Sequence, residues 1–363
     1  MIRVLVVDDS AFMRKAISMM ISDDPEIEVV GTATNGEEGV EKVLELAPDL
    51  VTMDIEMPRM DGLTALRKIM KEKPTPVMMV SSLTSEGAQA TLEALDLGAV
   101  DFIPKQLSYV SLDIVKIKQE LIAKIKHIKN RKNLLMAQYR TRCVSGISAA
   151  VKRKRQVAKP LLGVAMPLSS KAGKKNIRVV AVGVSTGGPP ALQRVIPQLP
   201  KNFPVPILIV QHMPPMFTKT LANRLNGLSA LQVKEAEGGE SLQGGMVYIA
   251  PGDKHMIVNR SGARHAIKLS NEPADTLYKP SVDIMMNSVE DNYRGTAMGV
   301  IMTGMGHDGL MAAKRVKKSG GIMIAQDENT CIVYGMPRAV IEAGIVDRIS
   351  PIERIAADIV SYF

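Results

Sequence analysis

Short runs rich in valine and isoleucine alternate with amphipathic stretches twice along this chain, and no other feature constrains its fold as tightly. Parallel strands cannot be joined by a tight turn; each pair needs a crossover, and a helix is the usual one. In residues 1–105 the runs "IRVLVV", "IEVVGTA", "DLVTMD", "PVMMVSS" and "VDFIPK" are separated by helical patterns such as "AFMRKAISMMIS" and "GEEGVEKVLEL". This order predicts an N-terminal doubly wound (βα)5 domain. A closing helix is expected over about Leu112 to Lys132, where Ile114, Ile117, Leu121, Ile125 and Ile128 recur at helical spacing.

Beyond it the periodicity fails. Residues from about 133 to 175 mix Ser, Ala, Gly, Pro and basic side chains, the composition of a tether. At 177 the alternation resumes with "IRVVAVGV", "PALQRVIPQL", "VPILIVQ", "MFTKTLANRLNG" and "LQVKEA". A hairpin-like section follows at "GMVYIAPGDKHMIVNR" and "HAIKLS", then helix "SVDIMMNSVEDN", strand "MGVIMTG", helix "LMAAKRVKKSG", strand "IMIAQ" and a closing helical region. The expected architecture is therefore α/β throughout: a domain at 1–128, a basic flexible linker at 129–176, and at 177–363 a second doubly wound α/β domain with an antiparallel hairpin section.

Composition excludes several classes of function. No apolar run approaches the roughly 18–20 residues of a membrane span, so no membrane insertion is expected. The start "MIRVLVVDDS" lacks the apolar core of a signal peptide, and the two cysteines, Cys143 and Cys331, have no metal-ligand spacing. A cytoplasmic address follows as an expectation. The net charge of +9 raises a nucleic-acid partner, and its excess crowds "KIKHIKNRK" and "VKRKRQVAK". Against that partner stand 3% aromatic residues with no Trp, too few for base-stacking platforms, and no readable helix-turn-helix. The expectation is a monomer that binds no nucleic acid.

Chemistry concentrates where strands end. Asp8 and Asp9 close the first run, Asp54 the third, Ser81 the fourth and Lys105 the fifth. Ligands of open parallel sheets bind at the carboxyl ends of strands, so these distant positions can converge. Three carboxylates together call for a hard cation such as Mg²⁺, beside which Asp54 can attack a phosphorus while a lysine and a hydroxyl take the phosphoryl oxygens. The motifs "VLVVDDS", "TMDIEMPRMDG", "VSS" and "FIPK" resemble the receiver domain of two-component response regulators. That resemblance implies phosphorylation at Asp54, Mg²⁺ held by Asp8, Asp9, Asp54 and a carbonyl near Glu56, and a switch formed by Ser81, Phe102 and Lys105, with Ser82 as an alternative hydroxyl.

In the second domain, "GVSTG" at 183–187 fits the G-x-S-x-G elbow that exposes a serine between a strand and a helix. A phosphate-cradling loop would also favour glycines here, but neither G-K-[ST] nor G-x-G-x-x-G is present. A nucleophilic Ser185 needs a base. His212 follows the second strand of the domain, and His255 in "APGDKHM" is its rival. The orienting carboxylate is expected at Asp308 in "VIMTGMGHDG", with Asp253 and Asp283 as alternatives, and Thr186 and Met305 can offer N–H groups to an oxyanion. Cys331 reads as packed rather than reactive.

The motifs "GVSTGGP", "QHMPP", "YIAPGDKHM", "KPSVD", "TGMGHDG" and "GMP", joined to an N-terminal receiver, resemble the chemotaxis protein-glutamate methylesterase family. The resemblance implies Ser185 as nucleophile, His212 as base and Asp308 as orienting acid. It further implies a phosphorylation-activated hydrolase that demethylates glutamate γ-methyl esters and deamidates glutamines in the cytoplasmic region of methyl-accepting chemotaxis receptors, with a chemotaxis histidine kinase as phosphodonor and no cofactor for the hydrolysis itself. Three other outcomes remain open at this stage: a methylesterase serving a non-motility chemosensory pathway, a DNA-binding response regulator, and a phospho-switched scaffold without catalysis.

Overall fold

The computed structural model describes residues 1–105, 113–137, 139, 176–262 and 264–363. The first domain runs β1 (Ile2–Val7), α1 (Ala11–Ser22), β2 (Ile27–Ala33), α2 (Gly36–Leu46), β3 (Leu50–Asp54), α3 (Gly62–Glu72), β4 (Val77–Ser81), α4 (Ser85–Leu97), β5 (Asp101–Pro104) and α5 (Asp113–Asn130). All neighbours pair parallel, in the order β2-β1-β3-β4-β5. Helices cover both faces of such a sheet, so its strands read as nearly continuous apolar runs: Val4, Leu5, Val6, Leu50, Val51 and Met53 are all inaccessible to solvent.

The second domain runs β6 (Val179–Val184), α6 (Gly188–Val195), a 3₁₀ turn (Ile196–Gln198), β7 (Ile207–Gln211), α7 (Phe217–Leu228), β8 (Gln232–Glu235) and β9 (Met246–Ile249). It continues with β10 (His255–Ser261), β11 (Arg264–Ser270), α8 (Val282–Tyr293), β12 (Ala297–Ile301), α9 (Leu310–Lys318), β13 (Ile322–Gln326), α10 (Met336–Glu342), β14 (Arg348–Ser350) and α11 (Ile352–Val360). Seven parallel strands are ordered β14-β13-β12-β6-β7-β9-β8, with β10 and β11 as a separate antiparallel hairpin.

Two elements differ from the sequence reading. The run "MVYI", grouped there with the hairpin, is β9, buried in the main sheet between β7 and β8. A short apolar run bounded by glycines does not reveal its pairing partner. The terminal region, expected to be helical, also contains β14, a three-residue edge strand too short for any periodicity.

The helical layer of the first domain extends beyond position 128. Helix α5 ends at Asn130, residues 132–137 are helical again, and Leu135 and Met136 are buried. The rest of the expected linker, residue 138 and residues 140–175, lies outside the described residues, as does Cys143.

Helix α4 packs on α6 and α7. Asp96 in α4 accepts a bond from Gln193 Nε2 at 3.0 Å and pairs with Arg224. Phe102 in β5 stacks flat on Phe217 at the start of α7, ring centroids 4.8 Å apart. Arg131, just after α5, donates to the Glu328 carbonyl. Beneath this contact Lys124 of α5 is buried; its Nζ lies 2.9 Å from Asp101 and 2.9 Å from Glu120, and donates to the Phe102 carbonyl at 3.0 Å. Burial opposes its charge, but Asp101 and Glu120 outweigh burial and hold the ammonium above the ordinary lysine range.

Candidate active site and receiver site

Strand register builds both sites. Val7 of β1 pairs with Met53 of β3, so Asp8 and Asp54 follow side by side where the strand order reverses. In the second sheet Val184 of β6 pairs with Gln211 of β7, so Ser185 and His212 are likewise the next residues on adjacent strands. Ser185 N–H donates to the Thr303 carbonyl at 3.0 Å, which ties the serine turn to the end of β12 as well.

His212 Nε2 lies 2.8 Å from Asp308 Oδ2. A carboxylate accepts, so Nε2 carries the proton and the buried Nδ1 keeps its lone pair, with no hydrogen-bond partner among the described residues. In the chymotrypsin arrangement the acid takes Nδ1; here it takes the other ring nitrogen. Asp308 also accepts Val282 N–H at 2.7 Å, Asp283 N–H at 3.0 Å and Ser281 Oγ–H at 2.9 Å, which places it on the N-terminus of α8. Burial alone would raise its pKa, but the bonds from His212, Asp283 and Val282 prevail and hold it below the usual carboxylate range.

The serine turn is held by side chains that the sequence reading did not single out. Gln211 Nε2 donates to both the Ser185 carbonyl, at 2.9 Å, and the His212 carbonyl, at 3.1 Å. Thr303 Oγ–H donates to the Thr186 carbonyl at 2.9 Å and accepts Ile332 and Val333 N–H groups. Glycine at 304 lets β12 approach this turn, since a Cβ there would come within 2.9 Å of Ser185 Cβ. Gln211 had one available signal, its position directly before the candidate base; Thr303 had none beyond ending a strand.

Of the other histidines, His127 is exposed on α5 and His307 is exposed beside Asp308, while His265 lies in β11 against the Tyr293 ring. His255 is fully buried, with ring nitrogens facing the Pro273 carbonyl and the Ser281 N–H at 3.2 Å each. Of the alternative acids, Asp283 accepts Ala312 N–H at 2.7 Å on α9, and Asp253 sits in the turn before β10 with φ 69°. Cys331 is buried, and burial pushes its thiol well above the ordinary value.

In the first domain Asp8, Asp9 and Asp54 bring ligand oxygens within 4.8 Å of one another. Lys105 Nζ lies 2.6 Å from Asp54 and 3.7 Å from Asp8. Burial, reinforced by the Asp8 charge, pushes Asp54 up to about 6 against the pull of Lys105, and burial raises Asp8 as well. Asp8 Oδ2 is buried without a hydrogen-bond partner among the described residues. A hard divalent cation suits this donor set, because it supplies the positive charge that buried carboxylates lack. Glu56 contributes its N–H to Asp54 Oδ1 at 3.3 Å. Ser81 Oγ donates to the Gly87 carbonyl at 3.1 Å, and Ser82 Oγ bonds Thr84 Oγ1 at 3.2 Å, so both hydroxyls engage the start of α4.

Residues 180–359 match the CheB methylesterase family and residues 4–114 the response regulator receiver domain. A protein-glutamate methylesterase/protein-glutamine glutaminase from Oleidesulfovibrio alaskensis is 53% identical over 367 residues, covering 99% of both chains. This chain belongs to that family. A second methylesterase/glutaminase, from Nitratidesulfovibrio vulgaris, is 52% identical over 363 residues and again covers 99% of both chains. The solved CheB methylesterase catalytic domain of Thermotoga maritima is 44% identical, with a TM-score of 0.50, covering 52% of this chain and 99% of that one. The receiver and the doubly wound methylesterase domain are thus those expected from the motifs, and the DNA-binding reading is not favoured. No helix among the described residues is long and apolar enough to cross a membrane.

Proposed function

We propose that Ser185, His212 and Asp308 carry the protein-glutamate methylesterase and protein-glutamine glutaminase activity of this family. Neutral His212 takes the Ser185 hydroxyl proton on Nδ1 as Oγ attacks the γ-carbonyl of a glutamate methyl ester. Asp308 keeps Nε2 protonated and offsets the imidazolium charge that forms. The N–H groups of Thr186 and Met305 receive the tetrahedral oxyanion. Collapse breaks the C–O bond, His212 returns its proton to the departing methoxide, and methanol leaves an acyl-serine. Water, deprotonated by the same Nδ1, then releases glutamate. A glutamine side chain enters the same sequence and loses ammonia.

The substrates are methylated glutamates and specific glutamines in the cytoplasmic region of chemotaxis receptors, and the protein acts as a cytoplasmic monomer. Asp54 accepts a phosphoryl group from a chemotaxis histidine kinase. Asp8, Asp9, Asp54 and the Glu56 carbonyl would hold Mg²⁺, which when bound neutralises the carboxylates and draws in phosphoryl oxygens. Lys105 and Ser81 bind the added oxygens, Phe102 moves with them, and the basic linker tethers the two domains. The observation that carries this reading is the placing of Ser185 and His212 on adjacent strand ends with Asp308 bonded to the imidazole. The test is methanol release from methyl-labelled receptor fragments with and without a phosphodonor. Activity that rises with phosphodonor in the parent, not in Asp54→Asn, and vanishes in Ser185→Ala is expected; undiminished release by Ser185→Ala would overturn the assignment.

A further inference from the structure

The segment joining β11 to α8 is tied at both ends to one imidazole. His255 Nε2 faces the Pro273 carbonyl at 3.2 Å and Thr276 Oγ1 at 3.3 Å, so Nε2 carries the proton. Its Nδ1 then accepts the Ser281 N–H at 3.2 Å. Thr276 Oγ–H in turn donates to the Tyr278 carbonyl at 3.0 Å. Tyr278, held in the middle of this segment, lays its ring flat on the His212 imidazole: the centroids are 4.3 Å apart and the planes differ by 7°. At the far end of the ring the hydroxyl occupies the space beside Gly306, where a Cβ would lie 3.0 Å away and φ is +78°.

We infer that Tyr278 is a positioning residue for the general base, acting through the face of its ring. This rests on the reading of His212 as the base. One hydrogen bond at Nε2 leaves the imidazole free to rock about its own bonds, whereas a parallel ring restricts it to the plane in which the Nδ1 lone pair points along a fixed direction. The stack also distinguishes protonation states. A cation over an aromatic face is attracted by the ring quadrupole, and a neutral imidazole far less. The contact therefore strengthens as His212 takes the serine proton, which is the differential stabilisation that accelerates a step. The fixed charges nearby, Asp308 at Nε2 and Glu120 and Lys124 from α5, act on this pocket whether or not the ring is present.

The test uses the full chain activated with phosphodonor and Mg²⁺, a peptide carrying glutamate γ-methyl ester, and four variants: Tyr278→Phe, Tyr278→Leu, pentafluorophenylalanine at 278, and His212→Gln. Phenylalanine should keep kcat within about twofold. Leucine should lower kcat about 5- to 20-fold with KM changed less than about twofold. Pentafluorophenylalanine keeps the volume and inverts the quadrupole, so it should fall toward the leucine value even if the leucine variant folds poorly. Proton NMR of the histidine ring protons supplies a readout free of turnover: the upfield ring-current displacement of His212 should persist with phenylalanine and disappear with leucine. A folded leucine variant that loses the displacement yet keeps parental kcat would overturn the inference, as would a phenylalanine variant as slow as leucine. Retention of activity by His212→Gln would instead remove the base assignment on which the inference stands.

Discussion

Asp283 and Asp308 cap each other's helices. Asp308, two residues before α9, accepts the Val282 and Asp283 N–H groups that open α8, while Asp283 accepts Ala312 N–H in the first turn of α9 at 2.7 Å. Each carboxylate satisfies N–H groups that a helix cannot satisfy itself and sits at the positive end of a macrodipole. The acid facing His212 is thereby held from two helices at once.

Asp283→Ala should remove the cap on α9 and cost about 0.5–2 kcal/mol of stability. Because the α9 turn carries Asp308, kcat should fall more than KM rises. Thermal melting and methanol-release kinetics on the same preparation check both, and parental values in each would show that the crossed caps do not bear on the site.

Acid should weaken the catalytic domain through Asp308. A carboxyl group whose folded pKa lies below its unfolded value of about 3.9 contributes stability while ionised; that contribution is complete above the unfolded value and is lost as pH falls through the folded one. Melting temperature should therefore drop on acidification below roughly pH 4. The drop should be shallower in Asp308→Asn, which has no proton to gain there, and equal slopes in the two proteins would contradict the linkage.

Lys124→Met should destabilise the receiver by about 3–5 kcal/mol, because it leaves the buried Asp101 without its cation. Adding Asp101→Leu removes the stranded charge and should recover most of the loss. Urea denaturation of the two variants distinguishes a stranded charge from lost packing, since packing alone would leave the double variant no better.

Loosening the contact between domains should activate the unphosphorylated chain. The Phe102–Phe217 stack is worth about 0.5–1.5 kcal/mol, so Phe102→Ala should raise basal methanol release about 2- to 10-fold. Arg224→Ala, which leaves Asp96 only its bond from Gln193, should act in the same direction. Basal rates at or below the parent in both variants would mean that this contact does not restrain the enzyme.

The fold was legible wherever a segment buries one face or both. Strand "ILIVQ" declares itself by an unbroken apolar run and helix "AFMRKAISMMIS" by its helical period, and β6 and β7 ended where their polar residues begin. Strand β14 was illegible because three residues carry no period, and β9 because pairing is a long-range property. Ser185, His212 and Asp308 could be picked out as candidates because each follows an apolar run and stands within two residues of glycine or proline. Gln211, Thr303 and Tyr278 were not singled out: the first two act through backbone carbonyls at neighbouring strand ends, contacts set by strand pairing, and Tyr278 reaches His212 from a segment that His255 fixes.

Strands β12, β6 and β7 lie side by side, yet the chain visits them first in the middle, then on one flank, and last on the other. The written order serine, histidine, aspartate thus records only the wiring of the sheet. What the proposed reaction requires is adjacency among three strand ends, a property indifferent to where a polypeptide begins. A chain rejoined and reopened in a turn at the opposite edge of the sheet would spell Ser185, His212 and Asp308 in another order and keep the same strand ends side by side.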